Sequence, residues 1–131
     1  MAEAEQAWTM ATNIARTGGV LDLLGIAVLN LGVLQMHEGD YERARTLVSE
    51  AIEAFAALKS SERQLFALYN MADIELETRA WDSALTLYET ASELAQRVGL
   101  ADVEAGSVAA AGLCLLETGK VQQAAQARRE V

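Results

Sequence analysis

Proline is missing altogether from this chain, and cysteine occurs only once. Without proline no helix has to be interrupted, and a fold of many strands joined by proline-marked turns is disfavoured. A single cysteine, Cys114, cannot close an internal disulfide, so the fold asks for no oxidising compartment. Set in an apolar helical stretch, it reads as a small buried hydrophobe. Aromatic residues make up only 5% although hydrophobic residues reach 52%. The core must therefore be aliphatic and rich in alanine, a composition that suits helices in close approach. Basic residues are also scarce: 10 Lys and Arg stand against 19 Asp and Glu, for a formal net charge of −9. The one adjacent basic pair is Arg128–Arg129. A phosphate backbone calls for clustered cations, so nucleic-acid binding is not expected. The acidic balance equally opposes an anionic membrane surface.

A long uninterrupted apolar run is absent too. The most apolar stretch, Val20–Met36, is broken by Asp22 and Asn30 and falls short of the roughly 20 residues that span a bilayer. The opening MAEAEQAW has neither the basic nor the apolar region of a secretory signal. A soluble, cytoplasmic chain of one domain's length is the expectation.

What the chain does have is a period of 40 residues. The stretch from Asn30 to Ile52 reappears from Asn70 to Ser92 and, more weakly, from Ala110 to Glu130. The columns agree: Ala4, Ala44, Ala84 and Ala124; Ala11, Ala51 and Ala91; Gly32, Ala72 and Gly112; Tyr41, Trp81 and Val121. A fixed period of this size marks a stacked-repeat architecture. Inside each block the apolar residues recur at helical spacing, as in Val28, Leu31 and Leu34 and then Ala44, Leu47, Val48, Ala51 and Phe55. The column of Gly32 keeps a small side chain where two helix backbones approach. Between the helices, Gly39 supplies a left-handed cap and Asp40 caps the helix that follows. Gly119 repeats that glycine, whereas Arg79 replaces it at a cost of ~1 kcal/mol if φ is positive there. Further connections fall at Thr17-Gly18-Gly19, Lys59-Ser60-Ser61 and Val98-Gly99-Leu100. Asp22, Glu62 and Asp102 sit in first turns, where the helix dipole favours negative charge. Ser61 to Gln64 has the spacing of a capping box.

These columns resemble the tetratricopeptide repeat, carried here by Asn30-Leu31-Gly32, Gly39-Asp40-Tyr41, Ala44 and Ala51, then Ala72, Trp81, Ala84 and Ala91, with Gly112, Gly119 and Ala124 in the third copy. The resemblance covers essentially the whole chain. Its 40-residue period is similar to the variety found in bacterial regulators and scaffold adaptors. It implies an all-α fold, an α-α superhelix of about seven antiparallel helices in a right-handed stack. The expected organisation is one domain over 1–131: a lone second helix at 2–17, then repeats at 20–58, 60–98 and 100–131, the last incomplete. The unmatched helix at the start, and an end inside a helix beginning near Val121 with no polar cap beyond, predict a piece of a longer protein. The alternative is that the two ends pair with another copy.

The resemblance also places a concave groove on the first helix of each pair. It maps Ile26, Leu29, Val33, Met36 and His37 to that face, then Phe66, Tyr69, Asp73, Leu76 and Glu77, then Gly106, Ala109, Leu113, Leu116 and Glu117. The cations and amides of the family's carboxylate-binding subset are not at these positions, where Leu29, Val33, Tyr69 and Asp73 stand instead. Asn30 and Asn70 share a column. An amide there has two readings, holding the backbone of an extended peptide or satisfying an interhelical carbonyl. The apolar run from Leu29 to Leu116 could accept an amphipathic helix. Tyr69 is the candidate aromatic anchor, and Asp73, Glu77 and Glu117 would prefer a basic partner.

No chemistry is legible. His37 is the sole histidine, stands on a different repeat from Cys114, and has no second ligand at metal-binding spacing. The expectation is a non-enzymatic module without cofactor or metal that binds a peptide or amphipathic helix within a larger bacterial regulatory or scaffold protein. A self-associating (dimeric) or ligand-sensing regulatory domain is the second reading.

Overall fold

A helix can stop without stranding its last carbonyls if the next residue turns left-handed and the residue after it donates back into the final turn. This chain does so every 20 residues: Gly19, Gly39, Lys59, Arg79 and Gly99 all have positive φ, between 55° and 85°. Beyond each, the amide of the next residue donates to the carbonyl five positions back: Val20 to Ala15, Asp40 to Gln35, Ser60 to Phe55, Ala80 to Glu75 and Leu100 to Ala95, at 2.9–3.0 Å. Two of the five positions are not glycine, and both make the same turn.

The structure, a computed structural model, describes residues 2–130, and at positions 123, 124 and 127–130 only the backbone. Ala124, the fourth alanine of its column, and the pair Arg128–Arg129 lie outside the described side chains. The described residues form six helices and no strand: α1 (Ala2–Gly18), α2 (Leu21–His37), α3 (Tyr41–Ala57), α4 (Ser61–Glu77), α5 (Trp81–Val98) and α6 (Ala101–Glu130). Each helix packs on its sequence neighbour, and α2 also touches α4. This is an all-helical stack of repeats, paired as α2 with α3 and α4 with α5. None of these helices is long and apolar enough to cross a membrane.

Alanine sets the spacing. Among the described residues, ten of the twenty buried hydrophobic ones are alanine, so backbones approach where bulkier side chains would hold them apart. Gly32 carries this furthest: a Cβ there would lie 2.8 Å from Val48 Cγ2 and 3.3 Å from Leu47 Cβ. Val28, Ala51 and Phe55 close the core of the first pair, and Leu65, Ala91, Leu94 and Ala95 that of the second. Between successive pairs the contact is partly polar and also periodic. Gln35 donates to Glu5 at 2.9 Å, and one period later Arg45 meets Glu75 and reaches Thr78 Oγ1 at 2.8 Å.

Three sequence expectations need correction. The turn expected at Gly119 does not form; α6 runs on through it, so there are six described helices rather than seven. Asp40 caps α3 by accepting from Arg43 N, and Tyr41 packs against the Ala44–Val48 core. The third copy offers Lys120 and Val121 instead, neither of which can cap or anchor a turn so well. An unbroken helix keeps every backbone bond that a break would orphan. Gly112, consequently, has nothing within 4 Å of a Cβ and brings no second helix close. The capping box at Ser61 is also not made: Ser60 is the N-cap of α4, with no side-chain cap bond.

Two measurements of stability follow. Gly32→Ala should destabilise by ~1–3 kcal/mol, because stiff Val48 and the α3 backbone cannot yield to the new methyl. Gly112→Ala, in open space within a helix, should stabilise by up to ~1 kcal/mol; equal losses in urea unfolding at both sites would contradict the packing described. Arg79→Gly should raise stability by ~0.5–1 kcal/mol, the left-handed penalty less the added freedom of the unfolded chain.

Candidate functional site

Helices α2 and α4, expected to line the groove, lie side by side, and where their C-terminal ends meet the start of α3 there is a pocket of about 330 Å³. Its walls are Met36, His37 and Tyr41 from the first repeat and Asp73, Leu76 and Glu77 from the second. Five of these six, all but Tyr41, are among the groove residues read from the sequence. The pocket's walls are about equally polar and apolar, with an exposed acid in Glu77 and a half-buried acid in Asp73.

Asp73 is held by a partner that sequence reasoning overlooked. The hydroxyl of Tyr88, itself only 1% exposed, donates to Asp73 Oδ1 at 2.6 Å. Tyr69 stands edge-on to Tyr88, with centroids 5.6 Å apart and planes at 74°. The pair belongs to a core of Ala72, Ala84, Tyr88 and Cys114. One signal was available. A period earlier both positions are valine, Val33 and Val48, so the second repeat replaces two apolar residues with a hydrogen-bonded pair.

Burial raises the Asp73 carboxyl above the usual carboxylate range, the Tyr88 bond pulls it partly back, and the charge of Glu77 pushes it up again. Tyr88 is driven well above the ordinary tyrosine value, first by burial and then by its bond to Asp73. Tyr69 moves the same way, through burial and the Asp73 charge. Burial likewise raises the thiol of Cys114, which is fully enclosed as expected of a core residue.

The remaining predicted residues are distributed differently. Asn30 Nδ2 donates to Ile26 O at 2.8 Å and Asn70 Nδ2 to Phe66 O at 2.9 Å. Each amide thus bonds the preceding turn of its own helix, rather than an interhelical carbonyl, and keeps its oxygen and second N–H. Leu29 is half-buried against the cores of both repeats, and Val33 is half-buried as well. Tyr69, expected as a free anchor, is half-buried against Tyr88, and a methyl at Gly106 would lie 3.4 Å from its hydroxyl. Phe66, Leu113 and Leu116 are open, at 43%, 45% and 57% exposure. Glu117 is paired with Lys120 at 3.1 Å on its own helix, so it adds little free charge to the lip. Among the described residues no group of three His, Cys, Asp or Glu is placed to hold a metal. A larger hollow, about 760 Å³, lies against α1 and contains none of the predicted groove residues.

A tetratricopeptide repeat family model matches residues 22–97. Among solved structures, the chain is similar to the crystal structure of BtubC (BKLC) from P. vanneervenii, with a TM-score of 0.67 and 20% identity. The alignment covers 93% of this chain and 56% of that one, so the chain spans little more than half its length. No curated protein matches the chain.

The Asp73 geometry makes a testable demand on stability. Because the native carboxyl holds its proton to higher pH than the unfolded chain does, Asp73 favours folding in acid. That contribution is lost as pH rises through its native value. Asp73→Asn retains an oxygen for Tyr88 and removes the charge. The variant should melt above the wild type at pH 7, with the gap closing as pH falls through the carboxylate range. A variant that melts lower at pH 7 would refute this balance.

Proposed function

The chain belongs to the tetratricopeptide repeat family, and from that premise we propose that it is a protein–protein interaction module taking a basic peptide or amphipathic helix into its concave groove. Domains of this family generally bind protein partners. The finer reading rests on one observation: the pocket at the α2–α4 junction sets Asp73 and Glu77 among Met36, Tyr41 and Leu76. A lysine or arginine side chain, with an apolar stem and a cationic head, matches such walls. The raised carboxyl of Asp73 adds to the case, since a bound cation would stabilise the charge that burial disfavours. Asn30 and Asn70 would fix the ligand backbone through the amide groups they keep open, and Phe66 would offer apolar area. Tyr69 would serve from behind as a support.

In this reading repeats 20–58 and 60–98, with the single helix α6, form one right-handed domain of a larger bacterial regulatory or scaffold protein in the cytoplasm. The period of 40 supports that context. No reaction is assigned: the family is a non-catalytic repeat module, and the thiol of Cys114 is enclosed. Neither nucleic acid nor membrane is proposed as a partner.

Fluorescence anisotropy with paired labelled amphipathic peptides, identical except for lysine or glutamine along one edge, tests the pocket. The lysine peptide should bind at least about tenfold more tightly, with the preference weakening at high salt. Asp73→Asn with Glu77→Gln should remove the preference while the fold persists. Equal binding of the two peptides, or a preference that survives both substitutions, would overturn the proposal.

A further inference from the structure

Four residues of α4 lie along one line. Phe66, Asn70, Asp73 and Glu77 stand at i, i+4, i+7 and i+11, the spacing that keeps side chains on a single helix face. Along that line the chemistry changes in order, from an aromatic ring to an amide to two acids. The ring is open: Phe66 is 43% exposed, whereas Phe55, the other phenylalanine, is 1% exposed in the core. The amide in the middle, Asn70, donates one N–H to Phe66 O at 2.9 Å and keeps its oxygen and second N–H. The acids belong to the pocket that α4 shares with α2. At about 1.5 Å per residue, Phe66 and Asp73 are separated by about 10 Å along the helix. The neighbouring helix α2 repeats the amide at Asn30 but has Ile26, Val33 and His37 at the other three columns, so the graded series is a property of α4.

We infer that this stripe selects a sequence pattern: an apolar residue and a lysine or arginine three positions apart in an extended segment of the partner. The apolar side chain lies on Phe66 and the cation enters the pocket of Asp73 and Glu77. This rests on the function proposed above and adds the spacing and conformation a partner must carry. Two ligand geometries put side chains about 10 Å apart on one side. A polyproline-II chain, with three residues per turn and a rise of about 3.1 Å, does so at i and i+3. An α-helix does so at i and i+7. Asn70 separates the two. A helix has already used its central N–H and C=O groups internally, while a polyproline-II backbone makes no internal bond and offers both to the amide. Residues at neighbouring positions, about 3.8 Å apart, fall well short of the span and leave either the ring or the acids unused.

Fluorescence anisotropy with three labelled peptides tests the pattern on the 131-residue chain. Each carries one leucine and one lysine in the same Ser/Gln background. In a flexible peptide they are three positions apart, in a second flexible peptide adjacent, and in a helix-stapled peptide seven apart. The first should bind at least about tenfold more tightly than either of the others. Phe66→Ala changes an exposed position and should keep the circular dichroism of the wild type. It should cost the first peptide about tenfold and leave unchanged a version with glycine in place of the leucine. Asn70→Ala should weaken the first peptide and spare the stapled one. Equal binding of the two flexible peptides, tighter binding of the staple, or Phe66→Ala binding the first peptide as well as the wild type does overturns the inference. In each of those cases a lysine preference that is lost in Asp73→Asn with Glu77→Gln still upholds the proposed function. Glutamine binding as well as lysine in the first peptide overturns both.

Discussion

The left-handed residue that closes each helix is the constraint on which the rest depends. Spaced at 20 residues, from Gly19 to Gly99, it holds α1 to α5 to 17 or 18 residues each and therefore returns each apolar stripe to the same height. Only then can Ala44 lie where Ala84 lies, and only then can a single small residue in the facing helix serve both. The energetic contribution of each turn is modest. Its register, however, decides whether Gly32 meets Val48 or a neighbour a residue away. Lys59 and Arg79 hold the left-handed geometry without glycine's freedom. In these two turns the packing of the flanking helices outweighs a local preference of about 1 kcal/mol.

Close approach through small side chains has a further consequence. An alanine-lined seam has little volume, so a larger residue on one side must be matched by space or by a partner on the other. The first repeat answers with glycine against valine. The second answers with Ala72 against Tyr88, and the tyrosine brings a hydroxyl into the core. A buried hydroxyl without a partner is costly, and Asp73 supplies one from the groove face. The polar pair is thus a product of packing, yet it delivers a partly desolvated carboxylate to the wall of a pocket.

Much of the fold was legible because it is written in columns. Ala11, Ala51 and Ala91, or Gly32 and Ala72, are informative together in a way that no single residue is. The helical period, the left-handed Gly39, the Asp40 cap and the penalty at Arg79 could all be read from residue types alone. Illegible were features that depend on what does not happen. Gly119 has the right residue type for a turn, but Lys120 and Val121 lack the capping and anchoring groups, and the helix continues. The groove was read by position rather than by burial. Hence Tyr69, which packs edge-on against Tyr88, looked like a ligand anchor, and neither reading of Asn30 and Asn70 foresaw their bonds to the preceding turn of their own helices. The missing element was the pairing across helices: Tyr88 lies fifteen residues from Asp73, and only the parallel change of Val33 and Val48 at the same columns hints at it.

That parallel change bears on function. If the second repeat were built for stability alone, a valine pair like that of the first would avoid the desolvation that raises the Asp73 carboxyl. Buried polar pairs often contribute less than an apolar pair of similar volume, whereas breaking one is expensive. Under the proposed function, a carboxylate kept at such a cost, beside Glu77 and facing His37 and Tyr41 across two repeats, is explained by what it would attract. A cationic side chain entering the pocket would meet an anion poorly solvated by water and already oriented by Tyr88. Under the proposed function, less solvent reorganisation would then be needed at the moment of binding, and the desolvation of Asp73 would favour a basic partner.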